Sequence, residues 1–187
     1  MEFKDLLIFT LKSYYQRYSK WPSKTRLLKL AYLVDLFYKR RFGNRIISNT
    51  WIYFLYGPYI KDYDSVLSAS EFKLKEVELE DEKTASIVEL NKDVQTQVHS
   101  IDINTVIYHV VSKFGNKPFM ELLDYIYFET EPMINANNRG EALDFNIVQP
   151  EEYYRVRELT LDPKSEYKLR KSFRERVKRI QNGKRHS

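Results

Sequence analysis

The residues that can do chemistry in this chain are three histidines, a group of carboxylates and many cationic side chains. The histidines are His99, His109 and His186. A zinc site on a helix needs two ligands one turn apart, as in an HExxH run, so that both reach one ion. No two of these histidines are so spaced. The chain has no cysteine, which excludes a thiol nucleophile, a disulfide framework and a Cys-ligated zinc or iron–sulfur site. There is no GxSxG elbow, and the five glycines form neither a P-loop nor a dinucleotide fingerprint. Carboxylates gather at Glu129, Glu131, Glu141 and Asp144. Paired carboxylates can move protons or hold a metal, but these fall around a helix end and a loop, where acidic groups are ordinary solvated surface. The expectation is no enzyme, with no catalytic, metal or cofactor site.

Two other features carry more weight. Asp35 lies in a nearly all-apolar segment, and a buried carboxylate needs a partner. Arg26, Lys29, Lys39 or a tyrosine hydroxyl could serve, as a structural ion pair or hydrogen bond. The second feature is the aromatic stretch WIYFLYGPYIKDY, residues 51–63. Alternation puts Trp51, Tyr53 and Leu55 on one face and Ile52, Phe54 and Tyr56 on the other. Both faces are apolar, so Trp51 and Phe54 are expected in the core, with Leu30, Tyr32 and Asp35. Tyr56, Gly57, Pro58 and Tyr59 read as a turn bearing two phenols. With Tyr63 they form the candidate partner-binding set, because Tyr brings contact area at low entropic cost. Stacking of nucleic-acid bases is disfavoured there, since the local charge is not basic.

The elements that must position these residues follow from hydrophobic spacing. Phe3, Leu6, Leu7, Leu11, Tyr14, Tyr15 and Tyr18 recur at helical intervals over residues 2–18. Trp21-Pro22-Ser23 interrupts, and Ser23 can cap a second helix over residues 24–42. Leu27, Leu30, Ala31, Val34, Phe37 and Tyr38 line one face of that helix, widened by Leu28, Leu33 and Leu36, so it is expected at the centre of the core. Gly43 suits its C-terminal cap, and Lys39, Arg40 and Arg41 suit its negative end. Residues 51–56 read as a short buried strand. Gly57-Pro58 is expected to turn the chain, with Pro58 in the first turn of a helix that continues through residues 59–69. Residues 72–80 alternate with a slip at Glu76, which suggests a bulge. With TASIVEL they suggest a β-hairpin. Two more helices are expected over residues 101–114 and 117–129, then a short piece from Pro132 to Ala136.

Charge is unevenly spread. The net charge is +5, yet residues 164–187 alone hold ten Lys/Arg against two Glu. The body is therefore mildly acidic and only the tail is basic, which argues against broad nucleic-acid binding by the body. In the tail, Leu169, Phe173, Val177 and Ile180 make a narrow apolar stripe on a basic helix. Three readings stay open: docking on a partner or on the body, a disordered extension, or DNA contact, with Arg170, Lys171, Arg174, Lys178 and Arg179 as the candidate nucleic-acid or partner contacts. No apolar run approaches the ~20 residues that span a bilayer, and the N-terminus lacks signal-peptide character. No membrane role and a cytoplasmic location are expected.

Several of these residues, taken in order, resemble the Panacea family, the domain of SocA-type antitoxins. They are Lys29, Leu30, Tyr32, Leu33 and Asp35, Phe42-Gly43, Trp51, Tyr56-Gly57-Pro58 and Tyr63, then Phe114-Gly115, Leu122, and Pro132 with Ala136. The resemblance covers roughly residues 1–145. Phe128 and Met133 stand where the family commonly has His and Trp. The resemblance implies a mostly helical bacterial domain that neutralises a cognate protein toxin by direct binding, often in phage or mobile-element settings. In one branch it implies an adaptor that delivers the toxin to an ATP-dependent protease. Neither role requires catalysis.

The expected fold is α+β and predominantly helical: a helical core, a small β-hairpin insertion and a basic C-terminal helix. The expected division is a Panacea-like antitoxin domain over residues 1–148, then a linker and basic helix or tail over 149–187. A nucleic-acid-binding regulator acting through that tail is the alternative function.

Overall fold

The computed structural model describes residues 1–79, 83–91, 94 and 100–150. His99, His186 and the basic tail, with Arg170, Lys171, Arg174, Lys178 and Arg179, lie outside the described residues. Of the expected linker and tail over 149–187, only residues 149 and 150 are described.

The described chain is α+β and helix-dominated. Its elements run α1 (Phe3–Tyr18), α2 (Lys24–Phe42), β1 (Ile52–Phe54), β2 (Gly57–Tyr59), α3 (Tyr63–Leu67), β3 (Phe72–Leu79), β4 (Lys83–Leu90), α4 (Ile101–Phe114), α5 (Phe119–Glu129) and α6 (Glu131–Ile134). The strands form two separate antiparallel hairpins, β1–β2 and β3–β4.

Helix α2 is central because it is apolar nearly all round. Leu27, Leu30, Ala31, Tyr32, Leu33, Val34 and Leu36 are fully buried, and α1, α4 and α5 pack around it. Its ends are set locally. The Ser23 side chain accepts from the Arg26 amide at 3.3 Å, and Gly43 takes a left-handed φ of 77° that a side chain would disfavour.

Asp35 is buried, as expected, but its partners come from elsewhere. Its carboxylate accepts from Arg45 Nε at 3.0 Å and Nη2 at 2.7 Å, from the Ile46 amide at 2.8 Å, and from Trp51 Nε1 at 2.8 Å. Arg26 and Lys29 lie nine and six residues before Asp35 on α2, off its face. Each finds a carbonyl instead. Arg26 donates to Gly115 and Lys117 at 2.9 and 2.8 Å, and Lys29 donates to Pro58 at 2.8 Å. Lys39 closes the last turn of α2 by donating to the Gly43 carbonyl.

Trp51 is fully buried, edge-on to both Phe3 and Tyr32 at 6.0 and 5.4 Å between ring centres. Burying such a ring contributes roughly 1.5–3 kcal/mol. Residues 140–143 run beside Trp51–Tyr53. Gly140 donates to the Tyr53 carbonyl, the Tyr53 amide to Glu141, and the Leu143 amide to the Trp51 carbonyl, at 2.7, 2.9 and 2.8 Å. This return brings Phe145 against Tyr32 and under the Arg45 guanidinium, 4.4 Å from its ring centre.

Two expectations about strands are corrected. Gly57-Pro58 does not turn the chain into a helix. The turn is Leu55-Tyr56, and Gly57 and Pro58 belong to β2, paired with Phe54 and Tyr53. Gly57 takes a φ of 91° directly after the two-residue turn. A glycine in this place lets an ordinary turn close a hairpin, so the helix starts only at Tyr63. The second correction concerns Glu76. The β3–β4 register runs without interruption from Phe72↔Leu90 to Leu79↔Lys83, so there is no bulge. The base of this hairpin is held to the body through the Val88 amide on the Pro22 carbonyl at 3.1 Å and a bridge from Ser23 to Ile87. Phe72 and Val88 are buried there, while Leu74 is exposed. Beyond the base neither face is fully covered, so a change of apolar face needs no extra residue.

Replacing Asp35 by Ala should cost about 3 kcal/mol or more, because it strands the Trp51 indole N–H, the Ile46 amide and the Arg45 charge. Denaturant unfolding followed by Trp fluorescence reads this loss. Gly57→Ala should cost about 1–2 kcal/mol through its left-handed backbone, with the Tyr127 ring only 3.4 Å from the added methyl; the same titration measures it.

Candidate functional site

The β1–β2 hairpin, the start of α2 and α3 enclose a groove of about 380 Å³. Lys24, Leu28 and Lys29 of α2 form one wall. Phe54, Leu55, Tyr56, Gly57 and Tyr59 of the hairpin form the other, with Tyr63 and Asp64 closing the end. The hairpin's short turn sets this shape. A two-residue connection holds Phe54 beside Gly57 and leaves the Phe54 ring at the lip.

Four of the five residues singled out in the sequence line the groove: Tyr56, Gly57, Tyr59 and Tyr63. The fifth, Pro58, is buried and contributes its carbonyl as acceptor for Lys29. Their surfaces differ. Tyr59 is half-buried, its ring 5.3 Å from Phe54 and 6.3 Å from Tyr63. Tyr63, placed among the surface residues by the sequence, is 2% exposed. Its hydroxyl donates to the Lys24 carbonyl at 2.6 Å and its ring packs on Phe3. It therefore supports the site rather than presenting a face. Phe54 moves the other way. Expected in the core, it is 42% exposed, because the two-stranded ribbon is covered on one side only, by α2 and by Tyr127 behind Gly57. Leu30, Tyr32, Asp35 and Trp51 are fully buried as expected.

The charged groups of the groove are arranged in order. Asp64 pairs with Lys24 and accepts from the Tyr59 hydroxyl at 2.9 Å. The Lys24 bond, opposed by partial burial and aided by Tyr59, holds the Asp64 carboxyl below the usual carboxylate range. Burial, then the hydrogen bond to Asp64 and its charge, pushes the Tyr59 phenol up to about 12. Lys29 is 2% exposed. Burial alone brings its amine down to about 7. Lys24, Lys29, Asp64 and Phe54 were not singled out as site residues by spacing. For Lys29 a signal was present, a cation inside an apolar helical stripe.

The remaining chemistry-bearing residues serve structure. Glu131 pairs with the buried Arg40 at 2.6 Å and accepts from the Gln149 amide at 3.2 Å. Arg40 also donates to the Tyr125 hydroxyl and the Glu129 carbonyl. Glu141 accepts from the Asn137 amide, and Asp144 from the Asn146 amide. His109 is exposed on α4 with its ring centre 5.5 Å from that of Phe37. Among the described residues, no three His, Asp or Glu side chains are grouped to hold a metal, and no helix is long and apolar enough to cross a membrane.

Lys29 gives the site a pH signature. Its folded pKa lies below the ordinary amine value, so the unfolded chain binds the extra proton between about pH 7 and 10.5. Stability from this group therefore rises with pH across that window. Wild type should gain on Lys29→Met between pH 7 and 10 in parallel denaturant titrations; a constant difference between the two would contradict the buried amine.

The model of the antitoxin SocA-like, Panacea domain family matches residues 27–132. No curated protein and no solved structure matches the chain significantly. The match begins in the first turns of α2 and contains Lys29, Asp35, Trp51 and the whole β1–β2 hairpin. The family name supports a general antitoxin role, and the chain belongs to the antitoxin SocA-like, Panacea domain family.

Proposed function

We propose that this chain is an antitoxin that neutralises a cognate protein toxin by direct binding, without catalysis, and that the β1–β2 groove is the docking face. The observation that carries this is that Phe54 and Tyr59 lie side by side, one exposed and one half-buried, along a pre-formed groove within the segment that matches the family. Aromatic side chains beside a desolvated hollow are typical anchors of protein interfaces. The hairpin that holds them is braced on both flanks, so docking requires little ordering of backbone.

The adaptor role belongs to the same reading. A toxin bound here and handed to an ATP-dependent protease would disappear only when that protease is active. No observation among the described residues adds to the nucleic-acid alternative, which rests on the charge of residues 164–187.

The test is co-expression with the protein encoded beside it in its genome. Growth should be rescued by wild type, and the partner should co-purify in stoichiometric amount. Phe54→Ser and Tyr59→Ala should each weaken binding by roughly tenfold or more and reduce rescue. Leu74→Ser, on the exposed part of the other hairpin, should leave both intact. Full rescue by the Phe54 and Tyr59 variants would remove the groove from the interface, and absence of any toxic neighbour would remove the antitoxin reading.

A further inference from the structure

The groove contains a cation for which the described residues supply no counter-charge. Lys24 is already neutralised by Asp64, and Asp64 is occupied twice over, by Lys24 and by the Tyr59 hydroxyl. Lys29 differs. Its side chain lines the groove, is nine-tenths or more buried, and donates to one acceptor, the Pro58 carbonyl at 2.8 Å. An ammonium has three donors, and a buried charge is stable only when paired. Among the described residues no carboxylate pairs with it. The other titratable groups facing the groove are phenols: Tyr56 from the turn, Tyr59 from β2 and Tyr63 from α3, with Tyr127 of α5 behind Gly57. Leu28, Leu55 and Phe54 give the same groove apolar lining.

We propose that this groove receives the C-terminal residue of a protein partner, its terminal carboxylate pairing with Lys29 and its last side chain, an apolar one, lying against Leu28 and Phe54. The proposal rests on the docking reading above and names the chemistry of the anchor. An internal Asp or Glu would satisfy the amine but leave the apolar walls unfilled. An internal apolar residue would fill the walls but leave the amine unpaired. A C-terminal apolar residue does both from one position, a recurring mode of peptide capture. Burial leaves Lys29 titrating at about 7, so binding of a carboxylate is coupled to proton uptake by the amine.

The experiment uses the full chain and two probes, N-acetyl-phenylalanine and its amide, N-acetyl-phenylalaninamide, followed by the backbone NMR shifts of Leu55, Tyr56 and Gly57. The acid should give saturable shifts, and the amide should bind at least tenfold more weakly. Affinity for the acid should fall by roughly tenfold per pH unit above about 7, because the proton on Lys29 is lost. Lys29→Met should erase the difference between acid and amide. These wild-type comparisons stand even if that variant does not fold. Equal binding of acid and amide, affinity independent of pH, or no saturable shift would each overturn the proposal. Equal or tighter binding of the α-amide of N-acetyl-aspartic acid, whose free carboxyl is on the side chain, would overturn its C-terminal part. If the probes fail while Phe54→Ser still abolishes rescue, the docking face stands without this anchor. If the probes bind while rescue ignores the groove, the site stands and the docking reading falls.

Discussion

Four hydrogen bonds converge on one buried carboxylate, and the rest of the molecule is arranged around that convergence. Asp35 sits in the central helix with no exposed surface. It would be costly there alone, since an unpaired buried charge loses its hydration without return. Arg45, the Ile46 amide and the Trp51 indole all turn inward to it. Those three donors belong to the connection between α2 and β1, so the same bonds fix the path of that connection. Trp51, held by its nitrogen, presents its ring edge to Phe3 and Tyr32. The start of the β1–β2 hairpin is thereby set relative to α2, and the groove between them acquires a defined width.

The cations of α2 show how one helix serves several neighbours. Arg26 closes the carbonyls at the end of α4, Lys29 takes a carbonyl of β2, Lys39 takes one of its own last turn, and Arg40 reaches Glu131. Carbonyls left over at helix ends and ribbon edges need donors, and long basic side chains deliver them across several ångströms. Lys29 does so from a position lining the groove. Its neighbours Lys24 and Asp64 cancel each other, which leaves the groove aromatic in surface and locally cationic in depth.

Much of the helical frame was legible in the sequence because its signals are local. Ser23 and Gly43 bracket α2, and apolar spacing marks α1, α4 and α5 within a residue or two of their observed ends. The burial of Asp35 and Trp51 was legible too, from their apolar surroundings. Their pairing was not, because Arg45 lies in an irregular segment whose side-chain direction no periodicity fixes. The β1–β2 ribbon was obscured by Gly57-Pro58, a pair that ordinarily starts a turn or a helix. In this chain the left-handed glycine follows the turn instead of forming it. That shift of two residues exchanged the fates of Phe54 and Tyr63, moving one ring to the lip of the groove and the other beneath it. The groove depends on contacts between α2, the hairpin and α3, and so on tertiary geometry that alternation alone does not encode.

The pairing of residues 140–143 with Trp51–Tyr53 has a consequence for synthesis. The chain is made from its N-terminus, so α1, α2 and the aromatic ribbon leave the ribosome first. The strand that completes the ribbon's outer edge follows roughly ninety residues later, and closing so long a loop is entropically slow to begin. Throughout that interval the nascent chain carries an open ribbon edge and an uncovered flank of Tyr32, where Phe145 will later rest. Translation must therefore pass Phe145 before that edge and flank are covered, and a truncated product ending with the family match at 132 would emerge with the edge unsealed.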